Sequence, residues 1–144
     1  MKTLRQMLEA KSKGRGVFTI GPDALVYDAL KLMAEKDVGA LVVMEGGRLA
    51  GIISERDYAR KVILHGKSSH DIPVSEIMTV KVITVHPGQT VPECMALMTE
   101  KRVRHLPVLE GERVVGVLSI GDLVKEVIAD QEHTIKQLES YIHS

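Results

Sequence analysis

Two short segments place a hydroxyl three residues ahead of a carboxylate, each where an apolar run gives way to a polar one: Gly51-Ile-Ile-Ser54-Glu-Arg-Asp57 and Gly116-Val-Leu-Ser119-Ile-Gly-Asp122. If a β run ends at the Ser and a helix follows, the hydroxyl and the open N–H groups of the first helical turn can hold a phosphate. The Asp carboxylate can then accept hydrogen bonds from ribose hydroxyls. The same pattern is that of an N-terminal helix cap, in which these side chains close on their own backbone. One helix start can serve both purposes, so the two readings are compatible. Other reactive residue types are less suggestively placed. The six histidines, at positions 65, 70, 86, 105, 133 and 143, show no paired metal-ligand spacing, and no metal site is expected. Cys94 lies on an apolar helix stripe with no His or basic residue beside it, which predicts a buried, inert thiol. No nucleophile–base constellation, phosphate-cradling Gly loop or G-x-G-x-x-G is present, so no catalysis is expected.

The elements that position the two Ser-x-x-Asp segments come from an internal repeat. Displaced by 65 residues, segment 17–63 lies over 82–128 without a gap, with 19 identities in 47 positions. Val26, Ala29, Leu30 and Met33 form a helical stripe that Val91, Cys94, Met95 and Met98 reproduce, and Thr90-Val-Pro-Glu93 has the form of a capping box. Each stripe is followed by a β run, Ala40–Met44 or Leu106–Leu109. A turn comes next, at Glu45-Gly-Gly-Arg48 or Glu110-Gly-Glu-Arg113, and then a second run, Leu49–Ile53 or Val114–Leu118. Helices are expected over Glu55–Leu64 and Ile120–Asp130 to close the units. Each unit therefore reads strand-helix-strand-strand-helix. A unit of about 60 residues buries too little surface alone, so the two are expected to pack about a pseudo-twofold axis as one α/β fold. The expected organisation is a leading helix plus first repeat over 1–66, a linker over 67–76, the second repeat over 77–130 and a C-terminal helix over 131–144. Leu4, Met7 and Leu8 share one face of the leading helix and Ile135, Leu138 and Ile142 one face of the last, apolar stripes that suit covering the pair or a partner subunit.

Composition excludes other classes. Among 144 residues, 19 Lys+Arg balance 19 Asp+Glu, which removes the basic footprint of a nucleic-acid-binding protein. Aromatics are 3% (Phe18, Tyr27, Tyr58 and Tyr141), too few for a base-stacking platform. Lys11, Lys13 and Arg15 form only a small basic cluster. No run of about 18 apolar residues and no signal-peptide pattern is visible, so neither membrane nor nucleic acid is an expected partner and a cytoplasmic location is expected.

The repeat, the hydrophobic-x-Ser-x-x-Asp ends, Gly39-Ala-Leu-Val-Val and Arg104-His-Leu-Pro-Val together resemble a pair of cystathionine β-synthase (CBS) domains, a Bateman module, over roughly residues 8–130. The resemblance implies a non-catalytic regulatory module that binds adenosine-containing ligands in clefts between two CBS repeats: AMP foremost, then NAD or ATP, with ADP and S-adenosylmethionine as further members. It implies composite clefts. Cleft one would combine Ser54, Arg56 and Asp57 with Thr79, Lys81, Val82, Arg104 and His105, and cleft two Ser119, Gly121 and Asp122 with Gly16, Val17, Gly39 and Ala40. Cleft one is the richer in cations and is expected to take the more highly charged ligand. Cleft two is expected to take a nucleoside, to hold a nucleotide weakly or to stay empty. The resemblance further implies a homodimer that signals to a separate regulated protein through a conformational or dimer change. The alternative is a structural or dimerisation adaptor with vestigial clefts.

Overall fold

The computed structural model describes residues 2–11 and 17–143. In chain order it contains α1 (Leu4–Lys11), β1 (Thr19–Ile20), α2 (Val26–Lys36), β2 (Ala40–Glu45), β3 (Arg48–Ser54) and α3 (Glu55–Lys61), then a 3₁₀ turn at Ile63–His65. The second half contains α4 (Val74–Ile77), α5 (Val91–Lys101), β4 (His105–Glu110), β5 (Arg113–Ser119) and α6 (Ile120–His143). The strand-helix-strand-strand-helix unit is thus present twice. In the first copy β1 runs parallel to β2 and β2 antiparallel to β3. In the second, β4 and β5 form the hairpin, and the leading strand is a single parallel bridge from Val85 to Val108, matching the Ile20–Val43 pair.

Local chemistry accounts for the shared details. The first hairpin turns on Gly46 and Gly47, at φ 57° and 78°, and the second on Gly111, at φ 64°. These are the primed turns whose twist suits a two-residue hairpin and which glycine adopts without strain. Both hairpins shift register at equivalent places, between Val43 and Met44 and between Val108 and Leu109. Helices α2 and α5 both end on a left-handed residue, Asp37 and Arg102. The capping box expected at Thr90 is one-sided: Glu93 N–H donates to Thr90 Oγ1 at 3.4 Å, and no reciprocal bond accompanies it among the described residues.

The hydrophobic stripes make two cores. One gathers Val26, Ala29, Met33, Leu41, Val43 and Ile53, the other Val91, Cys94, Met98, Leu106, Val108 and Leu118. Each core is completed by the segment that precedes the other repeat. Leu4 and Met7 of α1 are buried in the second core, while Ile72, Val74 and Ile77 are buried in the first. The backbone follows the same exchange. Leu4 N–H donates to Gln89 C=O at 2.9 Å and Val74 N–H to Ala24 C=O at 2.7 Å; Thr3 bridges Thr90 as Pro73 bridges Leu25. An ion pair of 2.9 Å between Lys2 and Glu126 ties α1 to α6, and this bond and charge hold the lysine pKa above its ordinary value.

Three helices differ from expectation. α3 ends at Lys61, and the 3₁₀ turn that follows stops at Gly66, whose φ of 68° suits glycine. The stretch 67–76 is not a loose linker throughout, since it begins α4 and supplies Ile72 and Val74 to a core. The two segments expected over 120–130 and 132–142 run as one helix of 24 residues, α6.

Candidate functional site

Both Ser-x-x-Asp segments stand at the junction of a hairpin and a helix and close as reciprocal caps. Ser54 N–H donates to Asp57 Oδ2 at 2.9 Å, and Asp57 N–H donates to Ser54 Oγ at 3.2 Å. Ser119 N–H donates to Asp122 Oδ2 at 2.8 Å, and Asp122 N–H donates to Ser119 Oγ at 3.1 Å. The surroundings of the two carboxylates differ. Lys61 Nζ stands 3.2 Å from Asp57 Oδ1 and also donates to Ile77 C=O at 2.9 Å, whereas the position equivalent to Lys61 is Glu126, bound to Lys2. Asp57 is therefore engaged on both oxygens by the chain itself.

Between the repeats lies a cavity of about 390 Å³. Its walls bring together five residues expected in cleft two: Val17, Gly39, Ala40, Ser119 and Asp122. Gly121 is exposed in the first turn of α6 and does not line the cavity, and Gly16 lies outside the described residues. His105, expected in cleft one, stands in the wall of this second cavity, with Nε2 3.3 Å from where a Cβ on Gly39 would sit. The reason is register: His105 opens β4 directly opposite Ser119 on β5. Two further groups went unseen in the sequence, Lys125 and Phe18. Lys125 is nearly one turn beyond Asp122 on α6, so a search for a cap followed by a cation at that spacing could have found it. Phe18 adds an aromatic wall, with the Lys36 ammonium 5.4 Å from its ring centre. The expectation of a cation-poor second cleft thus omitted two of the groups that line it.

The remaining residues assigned to cleft one line no part of this cavity. Thr79 is held against β3, exchanging backbone hydrogen bonds of 2.9 and 3.0 Å with Ile52. Arg56, Lys81 and Arg104 are exposed, and Val82 is half-buried. The structure joins Ser54 to Asp57 and leaves the three cations on the surface near solvent. The basic residues Lys13 and Arg15 lie outside the described residues.

Cys94 is fully buried on α5, and burial, reinforced by Glu93, pushes its thiol up to about 11 from 9.0. Because the unfolded thiol loses its proton first, the folded state holds more protons between these values. Stability present below pH 9.0 is lost as the pH rises towards about 11. At pH 8, iodoacetamide is expected to leave native Cys94 unmodified and to alkylate it fully in denaturant. Rapid native alkylation, read by mass spectrometry, would contradict the buried placement. Among the described residues there is no His/Cys/Asp/Glu group placed to hold a metal ion, and no helix long and apolar enough to cross a membrane.

Two equivalent half-folds that exchange their leading segments and meet at a cleft between paired helix starts define a tandem regulatory module, not an enzyme. The chain belongs to the CBS domain family, whose pattern matches residues 14–64 and 74–129. It is similar to the CBS domain-containing protein CBSX3, mitochondrial, of Arabidopsis thaliana, with 44% identity over 141 residues covering 92% of this chain and 68% of that protein. It is also similar to a CBS-domain protein of Burkholderia ambifaria MC40-6 described as a candidate for signal transduction. That likeness has 58% identity and a TM-score of 0.86, covering 90% of this chain and 96% of the other. The CBS domain pair of the protein MJ0100, solved in complex with 5-methylthioadenosine and S-adenosyl-L-methionine, shares the fold, with a TM-score of 0.79 at 23% identity over 90% of this chain and 98% of that one.

Proposed function

We propose that this CBS pair senses an adenosine-containing ligand in the cavity lined by Val17, Gly39, Ala40, Ser119 and Asp122, with AMP the first choice and NAD or ATP next. The observation that carries the reading is the cavity itself. Its volume of about 390 Å³ falls within the range of small-molecule sites, and it joins apolar walls to a carboxylate and an ammonium on one helix start. The base would lie against Val17, Phe18 and Ala40. The ribose would sit on Asp122, and the phosphate would face Lys125 and the N-terminal end of α6. The adenosyl ligands of MJ0100 support the ligand class. Ser54, Arg56, Asp57, Thr79, Lys81, Val82 and Arg104 form an accessory cleft whose use requires Lys61 to leave Asp57. Occupancy would be read out by a separate regulated protein in the cytoplasm through a change in module shape or in a homodimer.

The adaptor reading keeps one specific support: both Ser-x-x-Asp pairs are satisfied as caps without any ligand. Thermal unfolding with AMP, ADP, ATP, NAD, NADH, S-adenosylmethionine and GTP separates the two. A ligand at 100 times its Kd adds about 2.7 kcal/mol, which raises the midpoint of a chain this size by roughly 5–10 °C. An adenosine ligand is expected to give that shift in the wild type and in Asp57→Ala, but not in Asp122→Ala. No shift with any of them at millimolar concentration would leave the adaptor reading in its place.

A further inference from the structure

The far half of α6 is a helix without neighbours. From Ile128 to Ile142 every residue is exposed, including Ile135 at 54%, Leu138 at 57%, Tyr141 at 82% and Ile142 at 75%. An isolated helical segment of this length is marginal in water, and a solvated helix gains nothing from a row of large apolar side chains. Those side chains are in register. Val124, Ile128, Gln131, Ile135, Leu138 and Ile142 recur at alternating spacings of four and three, the a/d seam of a two-stranded coiled coil. The seam starts on the body of the module, where Val124 and Ile128 are 40% and 49% exposed.

We propose that this seam pairs in parallel with the same seam of a second copy, so that two modules are joined through α6. The residue types select the occupant. Isoleucine at the three a positions 128, 135 and 142, with Leu138 at d, favours two parallel strands. Gln131 at d then faces Gln131 of the second copy, where two amides satisfy each other across the seam and fix the register. Charges agree. The flanking Glu132 and Glu139 meet Val127 and Thr134 of the second copy in the parallel pairing, whereas the antiparallel one sets Glu132 against its own copy and Gln131 against Ile135. Lys125 lies beside the seam on the same helix and lines the cavity, so ligand and dimer share one element.

This inference rests on the homodimer reading given above, and its test separates the two. By light scattering at tens of micromolar, the wild-type chain is expected to read twice its 15.9 kDa. The variant Ile135→Asp/Leu138→Asp is expected to read 15.9 kDa while keeping a cooperative thermal transition, because both residues are exposed in the single chain. Gln131→Cys is expected to form an intermolecular disulfide under mild oxidation; the buried Cys94 does not compete. A monomeric wild type overturns both the homodimer and the seam. A double variant that stays dimeric overturns the seam and leaves the homodimer standing. A dimer that the Asp pair dissociates but Gln131→Cys cannot cross-link overturns the parallel pairing.

Discussion

Replacing Leu4 by alanine is expected to destabilise the second repeat, whose residues begin more than seventy positions further along the chain. Leu4 is fully buried, and its neighbours are Val85, Val91, Cys94 and the rest of the second core rather than anything in the repeat that follows it. Truncating a buried leucine typically costs about 2–5 kcal/mol, through lost transfer energy and the cavity left behind. The loss falls on a contact that also carries the backbone bond from Leu4 N–H to Gln89 C=O, so loosening α1 frees that edge as well. Hydrogen exchange is the informative readout, with protection expected to fall in α5, β4 and β5 more than in α2, β2 and β3. Equal loss in both halves, or loss confined to the first, would contradict the exchanged packing. Because Val74 occupies the equivalent place in the first core, Val74→Ala is expected to show the mirror pattern.

Gly51→Val is expected to be the most damaging single substitution on the hairpins. A Cβ added to Gly51 would stand 2.8 Å from the Thr79 carbonyl oxygen and 2.9 Å from Met78 Sδ, so the backbone after α4 would have to move. That backbone is fixed by its two bonds to Ile52, which leaves little room to yield. Overpacking of this kind costs roughly 1–3 kcal/mol, and valine adds two methyl groups to the clash. At the equivalent Gly116 the nearest atoms belong to the end of the Leu8 side chain, which can turn away. Urea unfolding is expected to rank Gly51→Val well below Gly116→Val in midpoint. The reverse order would mean that the α4 connection is looser than its hydrogen bonds indicate.

The repeat could be read from the sequence because its signals are local. Stripes spaced for a helix, Gly at turns needing positive φ, and Ser-x-x-Asp at strand ends all act within a few residues. Which core receives α1 and α4 could not be read that way. Leu4 and Met7 announce an apolar face but carry no information on which apolar surface covers it. The break expected near 130 followed from Asp130-Gln131-Glu132, a polar stretch that helices tolerate and that contains neither Gly nor Pro. In the site, the Ser and Asp positions were legible because the repeat shows them twice. Lys125 was not, because its equivalent Arg60 lies outside the motif that was followed, and His105 was misplaced because the cross-strand register of β4 with β5 decides which cleft it enters.

The central claim is that the cavity between Gly39 and Asp122 holds a nucleotide with its phosphate toward Lys125. Calorimetric titration of AMP and of adenosine into the wild type, Asp122→Ala and Lys125→Ala tests it most directly. The account predicts saturable binding at one site per chain in the wild type, with AMP at least about tenfold tighter than adenosine, as expected for a charge-assisted phosphate contact. Asp122→Ala is expected to lose both ligands, while Lys125→Ala keeps adenosine and loses the advantage of AMP. AMP affinity unchanged in both variants, or no heat from either ligand in the wild type, would contradict it.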